Sequence, residues 1–357
     1  MKKISEIQML KFISETLIAA GLSTDEADIC AKASLFADLR GTTTHGIVYI
    51  VRKTLDSIRE CRTVSGSQPT VIKESSSTAL VKGAGVVGPL LGEYSMDLAI
   101  EKAREQGVGI INTFNGNPIG MLGYYANIAA EKSMLGIVMA NTAPAAAPFG
   151  ATSAVLGTNP FAYAAPAQNS RPILFDIATT VAAAGKLSRA KRRGERLPDD
   201  WIIGSDGKPI TDPAKADEGV MLPCGGHKGS GFGILIHLLT GGLSETSIGG
   251  DPTHGHPDAN KRGQGALYMA IDPEYFGTKD GFAAMVERQI GFIHDAQPLP
   301  GARSPIYPGQ RGWSELDARR KNGIPVPDDD WQVVLNSIRS FGLQESDLLA
   351  SAGLADS

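Results

Sequence analysis

The N-terminal part of the chain has apolar residues at the spacing of amphipathic helices. In the first predicted helix, the apolar positions recur every three or four residues at Ile7, Leu10, Ile13 and Leu17. Ser23 and Glu26 then form a capping-box pattern, which marks the start of a second helix. The apolar positions of that helix are Ala27, Cys30, Leu35 and Leu39. We therefore expect about the first 75 residues to be helical.

The middle of the chain has a different pattern, with short apolar or β-branched runs separated by Gly, Pro and Asn. These runs read TALVKG, VGIINTF, LGIVMAN, FAYAAP and PILFDIA, and ALYMAID follows later. A helical pattern from Tyr94 to Arg104 lies between the first two runs. This alternation predicts a sheet-rich α/β domain.

From Trp313 onwards the pattern is helical again, with apolar positions at Val334, Leu335, Ile338 and Phe341. We therefore expect the two ends of the chain to form one helical domain, made of residues 1–75 and 311–357. Residues 76–310 are expected to form a mixed α/β domain.

Composition excludes several classes of protein. The 357 residues are 42% hydrophobic and 20% charged, which is typical of a soluble globular protein. The net charge of -4 gives no general attraction for nucleic acid or anionic lipid, and no apolar run is long enough for a membrane span. Glu6, Gln8, Lys11 and Glu15 interrupt the apolar run that a signal peptide needs. The three cysteines form no CxxC pair, so we expect a cytoplasmic protein without disulfides.

Gly83-Ala84-Gly85-Val86-Val87-Gly88 matches the GxGxxG pattern of a dinucleotide-binding Rossmann turn. It follows a predicted strand and precedes a predicted helix, as that turn requires. However, the next strand, VGIINTFN, ends without the acidic residue that binds the ribose. We therefore interpret the glycines as a close-packed connection between a strand and a helix.

Three histidines are weak candidates for a catalytic or metal-binding role. His254 and His256 in DPTHGHPD could bind a metal, but no third ligand stands at a suitable spacing, so no metal is expected. His237 lies on the apolar face of GILIHLL and is interpreted as a core residue.

Three loops place small residues and backbone amides beside polar groups, as chains do where they approach a pyrophosphate or ribose closely. They read LGTNPFAYAAP at 156–166, FDIATTVAAAGK at 175–186 and LPCGGHKGSGFG at 222–233. In the third loop Lys228 stands at a predicted helix start, where the ammonium and the helix N-terminus can act on one phosphate. Each loop alone is weak evidence, because glycine-rich turns have many other causes.

Together with RGTTTHGI, LPDDWIIGSDGKPITDP and YPGQ, these loops give the chain a specific likeness. The motifs stand in the order and at the intervals found in the malate/L-lactate dehydrogenase family of non-Rossmann NAD(P)-dependent oxidoreductases, which the chain resembles over essentially its whole length. The resemblance implies a homodimer, with a mixed-sheet cofactor domain and an active site near the subunit interface. It also implies cofactor-binding positions at Thr158, Asn159, Pro160, Asp176, Ala178, Thr179, Thr180, His227, Lys228, Gly229, Pro308 and Gly309.

His45, in RGTTTHGI, is the candidate acid or base. Hydride transfer to C=O or C=N builds negative charge on the heteroatom, and histidine can supply the proton near neutral pH. The resemblance implies that Asp176 orients His45 or favours its charged form, and that Thr44 places a hydroxyl next to it. The alternative is an ordinary histidine at a helix C-terminus, which interacts with the helix dipole.

The chain departs from the family pattern around the substrate. Asn117 and Pro118 replace a segment in which the family commonly has a histidine, and Tyr49 replaces an arginine that could clamp a carboxylate. Arg52 and Lys53 lie seven and eight residues after His45, so they could hold an anionic group further along a helix. These five positions predict a substrate that differs in size or reach from lactate and malate.

The cofactor choice between NAD and NADP stays open at this point. Arg189, Lys191, Arg192 and Arg193 could meet a 2′-phosphate, which favours NADPH, yet such a run is also typical of a solvated helix face. We expect an NAD(P)H-dependent reductase of 2-oxo or 2-imino acids, or the reverse dehydrogenase. A catalytically silent dinucleotide-binding protein is the alternative, and a metal-dependent hydrolase using His254 and His256 is a more distant one.

Overall fold

The protein is described from a computed structural model, which covers residues 2–249, 263–301 and 303–354. Helices form both ends of the chain. The N-terminal helices are α1 (Glu6–Ala19), α2 (Thr24–Leu39) and α3 (Ile47–Arg59). The predicted capping box is present, because the Ser23 hydroxyl and the Glu26 carboxylate each bind the other residue's backbone amide. The C-terminal helices are α9 (Gln310–Asn322), α10 (Asp328–Phe341) and α11 (Glu345–Ser351).

A seven-stranded mixed sheet forms the centre, and its strands lie in the order β2-β3-β4-β10-β5-β6-β7. They are β2 (Thr70–Glu74), β3 (Thr78–Lys82), β4 (Val108–Gly116), β5 (Leu135–Ala140), β6 (Phe161–Ala165), β7 (Ile173–Ile177) and β10 (Gln264–Ile271). Among the described strands, only β3 and β4 pair in parallel, and α4 (Gly88–Gln106) connects them. This sheet confirms the predicted non-Rossmann mixed α/β fold.

The remaining elements complete the layers around the sheet. They are the helices α5 (Leu122–Glu131), α6 (Ala184–Arg193), α7 (His227–His237) and α8 (Lys279–Asp295), and the short strand pairs β1 (Lys2–Ile4) with β11 (Ile324–Val326) and β8 (Ile202–Ile203) with β9 (Val220–Met221). The prediction of helix up to residue 75 is wrong at its end, because residues 70–74 form β2 and pair with β3. β-branched residues there favour a strand, which the preceding helical pattern concealed.

Over the residues that the structure describes, two separate apolar cores hold these elements. The main core joins the helices of both chain ends to the sheet, with Phe12 and Trp331 on the helical side and Tyr125 and Tyr268 beside the sheet. The second core is small and lies under β8 and β9. Its buried members are Ala146, Leu156, Ala190, Leu197, Ile202, Ala216 and Met221.

The glycines of the GxGxxG match are explained by packing. A Cβ on Gly83 would lie 2.3 Å from Leu91 Cδ2, and a Cβ on Gly88 would lie 2.0 Å from the carbonyl oxygen of Pro118. The start of α4 is thus covered by the chain after β4. Glycine is required at position 88 by a close backbone contact and at position 83 by the Leu91 side chain, in agreement with the sequence interpretation.

Candidate active site

His45 lies in the turn between α2 and α3. The turn is held by a hydrogen bond from the His45 amide to the Thr42 carbonyl at 3.0 Å. The His45 Nδ1 atom lies 3.1 Å from the Thr44 hydroxyl, and the ring packs 5.0 Å from the ring of Tyr49, measured between centroids. Burial lowers the pKa of His45 to about 4. The imidazole is therefore neutral at physiological pH and can accept a proton.

Asp38, which the sequence reasoning missed, fixes this turn. Its Oδ2 atom accepts a hydrogen bond of 2.7 Å from the Ile47 amide at the start of α3. A Cβ on Gly46 would lie 1.9 Å from Asp38 Oδ1, so only glycine fits beside the carboxylate. Burial raises the pKa of Asp38 to about 7, although the Ile47 amide and Arg319 oppose this shift. The carboxylate and the glycine together define the path of the chain next to His45.

Asp176 lies near the end of the edge strand β7. Its Oδ2 atom accepts a hydrogen bond of 2.7 Å from the Gly123 amide in the first turn of α5. Burial raises the pKa of Asp176 to about 6, while Gly123 and the positive charge of Arg40 oppose this shift. Within the described parts of the chain, no hydrogen bond joins Asp176 to His45. That Asp176 orients or charges His45 thus stays a prediction.

Asp176 lines a cavity of about 160 Å³, here called the Asp176 cavity, together with Arg40, Thr42, Pro308 and Gly309. The Leu174 amide donates to the Pro308 carbonyl at 3.0 Å, which brings YPGQ next to FDIATT. Two of the predicted cofactor positions, Pro308 and Gly309, therefore lie beside Asp176, although they are more than 130 residues away in the sequence.

Arg40 is a second residue that the sequence reasoning missed. Its side chain is 3% exposed, and its guanidinium carbon lies 3.8 Å from the centroid of the Trp313 ring. Its Nε and Nη1 atoms have no hydrogen-bond partner among the residues that the structure describes. The buried guanidinium of Arg40 therefore lines the Asp176 cavity, and no described residue accepts a hydrogen bond from its Nε or Nη1 atom.

The GTNP loop is largely engaged in holding the fold. The Asn159 side chain donates to the Gly233 carbonyl at 2.9 Å and accepts from the Thr142 amide at 3.2 Å. The Pro160 carbonyl accepts from the Ala140 amide at 3.2 Å, and the Thr158 carbonyl accepts from the Thr179 amide at 2.9 Å. The loop thus connects the end of β5 to α7 and to the loop after β7, where Ala178, Thr179 and Thr180 lie.

The other two predicted cofactor loops pack against each other. The Cys224 amide donates to the Thr179 carbonyl at 2.9 Å, and α7 begins at His227 directly after Gly225 and Gly226. A Cβ on Gly229 would lie 2.2 Å from the Cys224 carbonyl oxygen, so Gly229 permits this close contact. Lys228 is exposed at the start of α7.

A cavity of about 510 Å³ lies beside these loops and is called the α7 cavity below. Its lining consists of Phe149, Gly150, Ala151, Thr152, Val181, Asp200, Ile203, Leu222, Pro223, Gly225 and Gly226. The order of these residues in the sequence does not reveal the cavity, because four separate segments form it.

The predicted substrate residues differ in their surroundings. Burial raises the pKa of Tyr49 to about 12, and the Nε atom of Arg52 is buried without a hydrogen-bond partner in the described part of the chain. Burial, followed by the charge of Arg52, lowers the pKa of Lys53. Asn117 uses its amide hydrogens on the Arg62 carbonyl at 2.8 Å, the Thr63 hydroxyl at 3.0 Å and the Val86 carbonyl at 2.9 Å.

The segment that contains Pro118 is placed next to α3, since a Cβ on Gly120 would lie 3.0 Å from Ile50 Cδ1. Pro118 itself contacts Gly88 through its carbonyl oxygen. The structure thus gives Asn117 a part in holding the fold, while Arg52 has unused hydrogen-bonding capacity.

The basic run on α6 is paired with acidic residues. Arg189 Nη2 lies 2.7 Å from the Thr43 hydroxyl and 3.1 Å from Asp330 Oδ2. The remaining pairs are Arg192 with Asp330, Arg193 with Asp329, and Lys191 with Asp217. This helix therefore joins the turn that carries His45 to α10.

The described residues contain no group of three His, Cys, Asp or Glu side chains that could hold a metal ion. His254 and His256 lie outside those residues. Within the same parts of the chain, none of the helices has both the length and the apolar character that crossing a membrane requires.

Comparison with known proteins shows the family of the chain. A family model described as malate/L-lactate dehydrogenase matches residues 4–335. L-Sulfolactate dehydrogenase from Methanothermobacter thermautotrophicus is 35% identical over 341 residues, which are 96% of this chain and 98% of that protein. Delta(1)-pyrroline-2-carboxylate reductase from Ancylobacter novellus is 31% identical over 330 residues, which cover 91% of this chain and 93% of that protein.

Among solved structures, malate dehydrogenase from Pyrococcus horikoshii superposes with a TM-score of 0.86 at 30% identity, and the match covers 96% of each chain. The family model matches most of the chain, and the sequence and structural matches extend over nearly all of it. The chain therefore belongs to the malate/L-lactate dehydrogenase family and is an oxidoreductase that uses a nicotinamide cofactor.

Proposed function

We propose that this protein transfers hydride between a nicotinamide cofactor and the C=O or C=N group of a small 2-oxo or 2-imino acid, or catalyses the reverse oxidation of a 2-hydroxy acid. The observation that carries the proposal is the His45 turn. It places a neutral imidazole between the Thr44 hydroxyl and Tyr49, and Asp38 and Gly46 define the path of the chain next to it. Relatives named for sulfolactate and for pyrroline-2-carboxylate support these substrate classes.

His45 acts as the acid or base in this proposal. When bound, the nicotinamide supplies or accepts the hydride. Burial lowers the pKa of His45 to about 4 and so keeps the imidazole neutral, the form that accepts the hydroxyl proton during oxidation. In the reductive direction, the imidazole takes up a proton from solvent and passes it to the developing oxyanion or amine nitrogen. The Thr44 hydroxyl, next to Nδ1, fixes the orientation of the ring.

Arg52 is the proposed partner of the substrate's anionic group. Its buried, unpaired Nε atom suits a carboxylate or sulfonate, which accepts hydrogen bonds from a guanidinium in a fixed geometry. Tyr49 lies between Arg52 and His45 in the sequence and contacts the His45 ring. Since the clamp stands beyond Tyr49, we propose a substrate longer than pyruvate or oxaloacetate, and Lys53 and Pro118 shape the same region. Asn117 contributes by holding the Pro118 segment in place.

The proposed cofactor site consists of the loop around Thr179, the start of α7 with Lys228, and the segment with Pro308 and Gly309. The basic run on α6 gives no support for preferring NADPH, because its four cations are engaged with Asp330, Asp329 and Asp217. A 2′-phosphate would have to compete with these carboxylates.

We also propose a homodimer. The α7 region exposes several large apolar side chains, which a second copy of the chain would cover: Phe232, Ile234, Leu235, Leu238 and Leu243.

The division into a helical domain (1–75 and 311–357) and a cofactor domain (76–310) remains part of this proposal. The three cysteines are free thiols, which supports a cytoplasmic location.

The test is the absorbance of the reduced nicotinamide with purified protein and a panel of 2-oxo acids, cyclic imines and sulfonated analogues. We expect oxidation of NADH or NADPH with at least one longer anionic compound. If the cofactor binds but no compound in the panel is turned over, the catalytically silent alternative is favoured. If neither cofactor binds, the proposal is wrong.

A further inference from the structure

The helix α6 packs against the turn that carries His45. We propose that Arg189, on this helix, is a positioning residue for the proton-transfer step. It holds the turn in place through the Thr43 hydroxyl, and it is itself held by Asp330 of α10. This inference rests on the proposed function, because it requires His45 to be the acid or base.

The start of α6 lies directly against Thr44, the residue before His45. A Cβ on Gly185, in the first turn of α6, would lie 2.8 Å from the Cβ atom of Thr44. The absence of a side chain at this position therefore lets the helix and the turn approach each other closely. Arg189 follows Gly185 by four residues and so lies on the same face of α6, next to Thr43.

The Nη2 atom of Arg189 bridges the turn and α10. It donates one hydrogen bond of 2.7 Å to the Thr43 hydroxyl and a second of 3.1 Å to Asp330 Oδ2. This nitrogen carries two hydrogens in the plane of the guanidinium group, so it can make both bonds at once. Because the donor is charged, its bond to the hydroxyl is stronger than a bond between two neutral groups.

Asp330 keeps Arg189 in this position. The Asp330 side chain is 3% exposed and also pairs with Arg192. A buried carboxylate without a cationic partner is strongly unfavourable, so Asp330 favours the conformation of Arg189 that reaches it. Asp330 belongs to α10, which packs against α3, and α3 begins two residues after His45. The anchor and the turn are thus part of one packed layer of helices.

Two attachments lie on opposite sides of His45 along the chain. Thr43, two residues before it, accepts from Arg189, and the amide of Ile47, two residues after it, donates to Asp38. Misplacing a reacting group by about 1 Å can lower a rate by about a hundredfold. Loss of the Arg189 attachment should therefore slow the proton transfer without removing a contact to the cofactor or the substrate.

The test compares the steady-state constants of Arg189→Met with those of the wild type, using the reduced cofactor and the best substrate of the panel. We expect kcat to fall by about tenfold or more, while both KM values change by less than about twofold. Methionine keeps the apolar stem of the side chain, and Arg192 still pairs with Asp330, so the variant should fold. Arg193→Met, on the same helix, loses a pair with Asp329 and should keep the wild-type kcat.

A second variant, Thr43→Val, removes the hydroxyl and nearly keeps the shape of the side chain. It should lower kcat as much as Arg189→Met does, and the double variant should be no slower than either, because the two residues form one interaction. Thermal unfolding shows whether each variant is folded, and Thr43→Val alone decides the case if Arg189→Met is unfolded.

Two results would overturn the inference and leave the proposed function intact: a wild-type kcat in folded Arg189→Met or Thr43→Val, or losses that multiply in the double variant. The second result would mean that Arg189 affects the rate by a route other than Thr43. Absence of turnover by the wild-type protein would overturn the proposed function, and this inference with it.

Discussion

The carboxylate of Asp38, in the last turn of α2, accepts a hydrogen bond of 2.7 Å from the backbone amide of Ile47, the first residue of α3. This bond closes the turn that carries His45. The first turn of α3 has no other side-chain cap, since the residue before it is Gly46. Asp38 is thus the group through which α2 determines the position of the candidate acid or base.

Asp38→Asn should change how stability depends on pH. The pKa of Asp38 is raised from 3.8 to about 7, so between these values the folded protein binds more protons than the unfolded chain. The Asp38 contribution to stability is therefore present at low pH and is lost as the pH rises towards about 7. We expect the free energy of unfolding of the variant, relative to wild type, to increase between about pH 5 and about pH 8.

Urea denaturation at the two pH values measures this difference. Contributions from His45 and Asp176 occur in both proteins and cancel in the comparison. An equal effect of the substitution at both pH values would show that the Asp38 carboxyl titrates normally.

His45→Ala should lower turnover by about two orders of magnitude or more, which is the usual contribution of a general acid or base. The affinity for the cofactor should change little, because the ring contacts Thr44 and Tyr49 and is absent from the proposed nucleotide loops. Phe276→Ala, which removes a ring that is 81% exposed, is the control and should keep full turnover. Steady-state rates and nucleotide binding separate the two effects. Wild-type turnover in His45→Ala would mean that another group transfers the proton.

Arg52→Ala should reduce kcat/KM for the best substrate by about tenfold to a hundredfold, the loss expected for a hydrogen bond between charged groups. Arg59→Ala is its control on the same helix, since Arg59 is exposed and pairs with Asp56 at 3.7 Å. Pyruvate and oxaloacetate should be poor substrates of the wild-type protein, because the proposed clamp lies beyond Tyr49 and suits a longer substrate. The interpretation of Arg52 as the anion clamp is wrong if both variants keep the wild-type constant.

Asp330→Ala should destabilise the fold by about 1 to 3 kcal/mol, because it removes the partner of two guanidinium groups. The Asp330 side chain is 3% exposed, while Arg189 and Arg192 are 26% and 31% exposed, so water compensates for part of the loss. Asp317→Ala breaks an exposed pair with Arg171 and should cost less than about 1 kcal/mol. Urea denaturation of both variants at one pH and one salt concentration gives the comparison. Equal effects would show that burial of Asp330 adds nothing.

Local patterns predicted much of the fold. The capping box of Ser23 and Glu26 depends on residues three positions apart, and the strands of the sheet appear in the sequence as short apolar runs, so a single sequence contains both signals. The sheet order is different, because pairing β10 between β4 and β5 depends on contacts between residues more than 100 positions apart. The resemblance to the family implied a mixed sheet, but it gave no strand order.

Only part of the candidate site could be predicted from the sequence, again because some of its contacts join residues that are distant in the chain. His45 and Gly46 stand out in the sequence, but the partner of Gly46 is Asp38 in the previous helix, and nothing in the spacing indicates that contact. Arg40 packs on Trp313, which is more than 270 residues away, so its burial is invisible in the sequence. The sequence shows the charges of the basic run on α6, whereas only the fold shows its carboxylate partners on α10.

The small apolar core under β8 and β9 has a consequence for amide hydrogen exchange. It is separate from the main core, and Ile203 and Leu222, which border it in the sequence, line the α7 cavity. Regions with few buried apolar contacts open locally at a lower free energy than the rest of a protein. Exchange should thus be faster around residues 197–221 than in the seven-stranded sheet, and a ligand in the cavity should slow it.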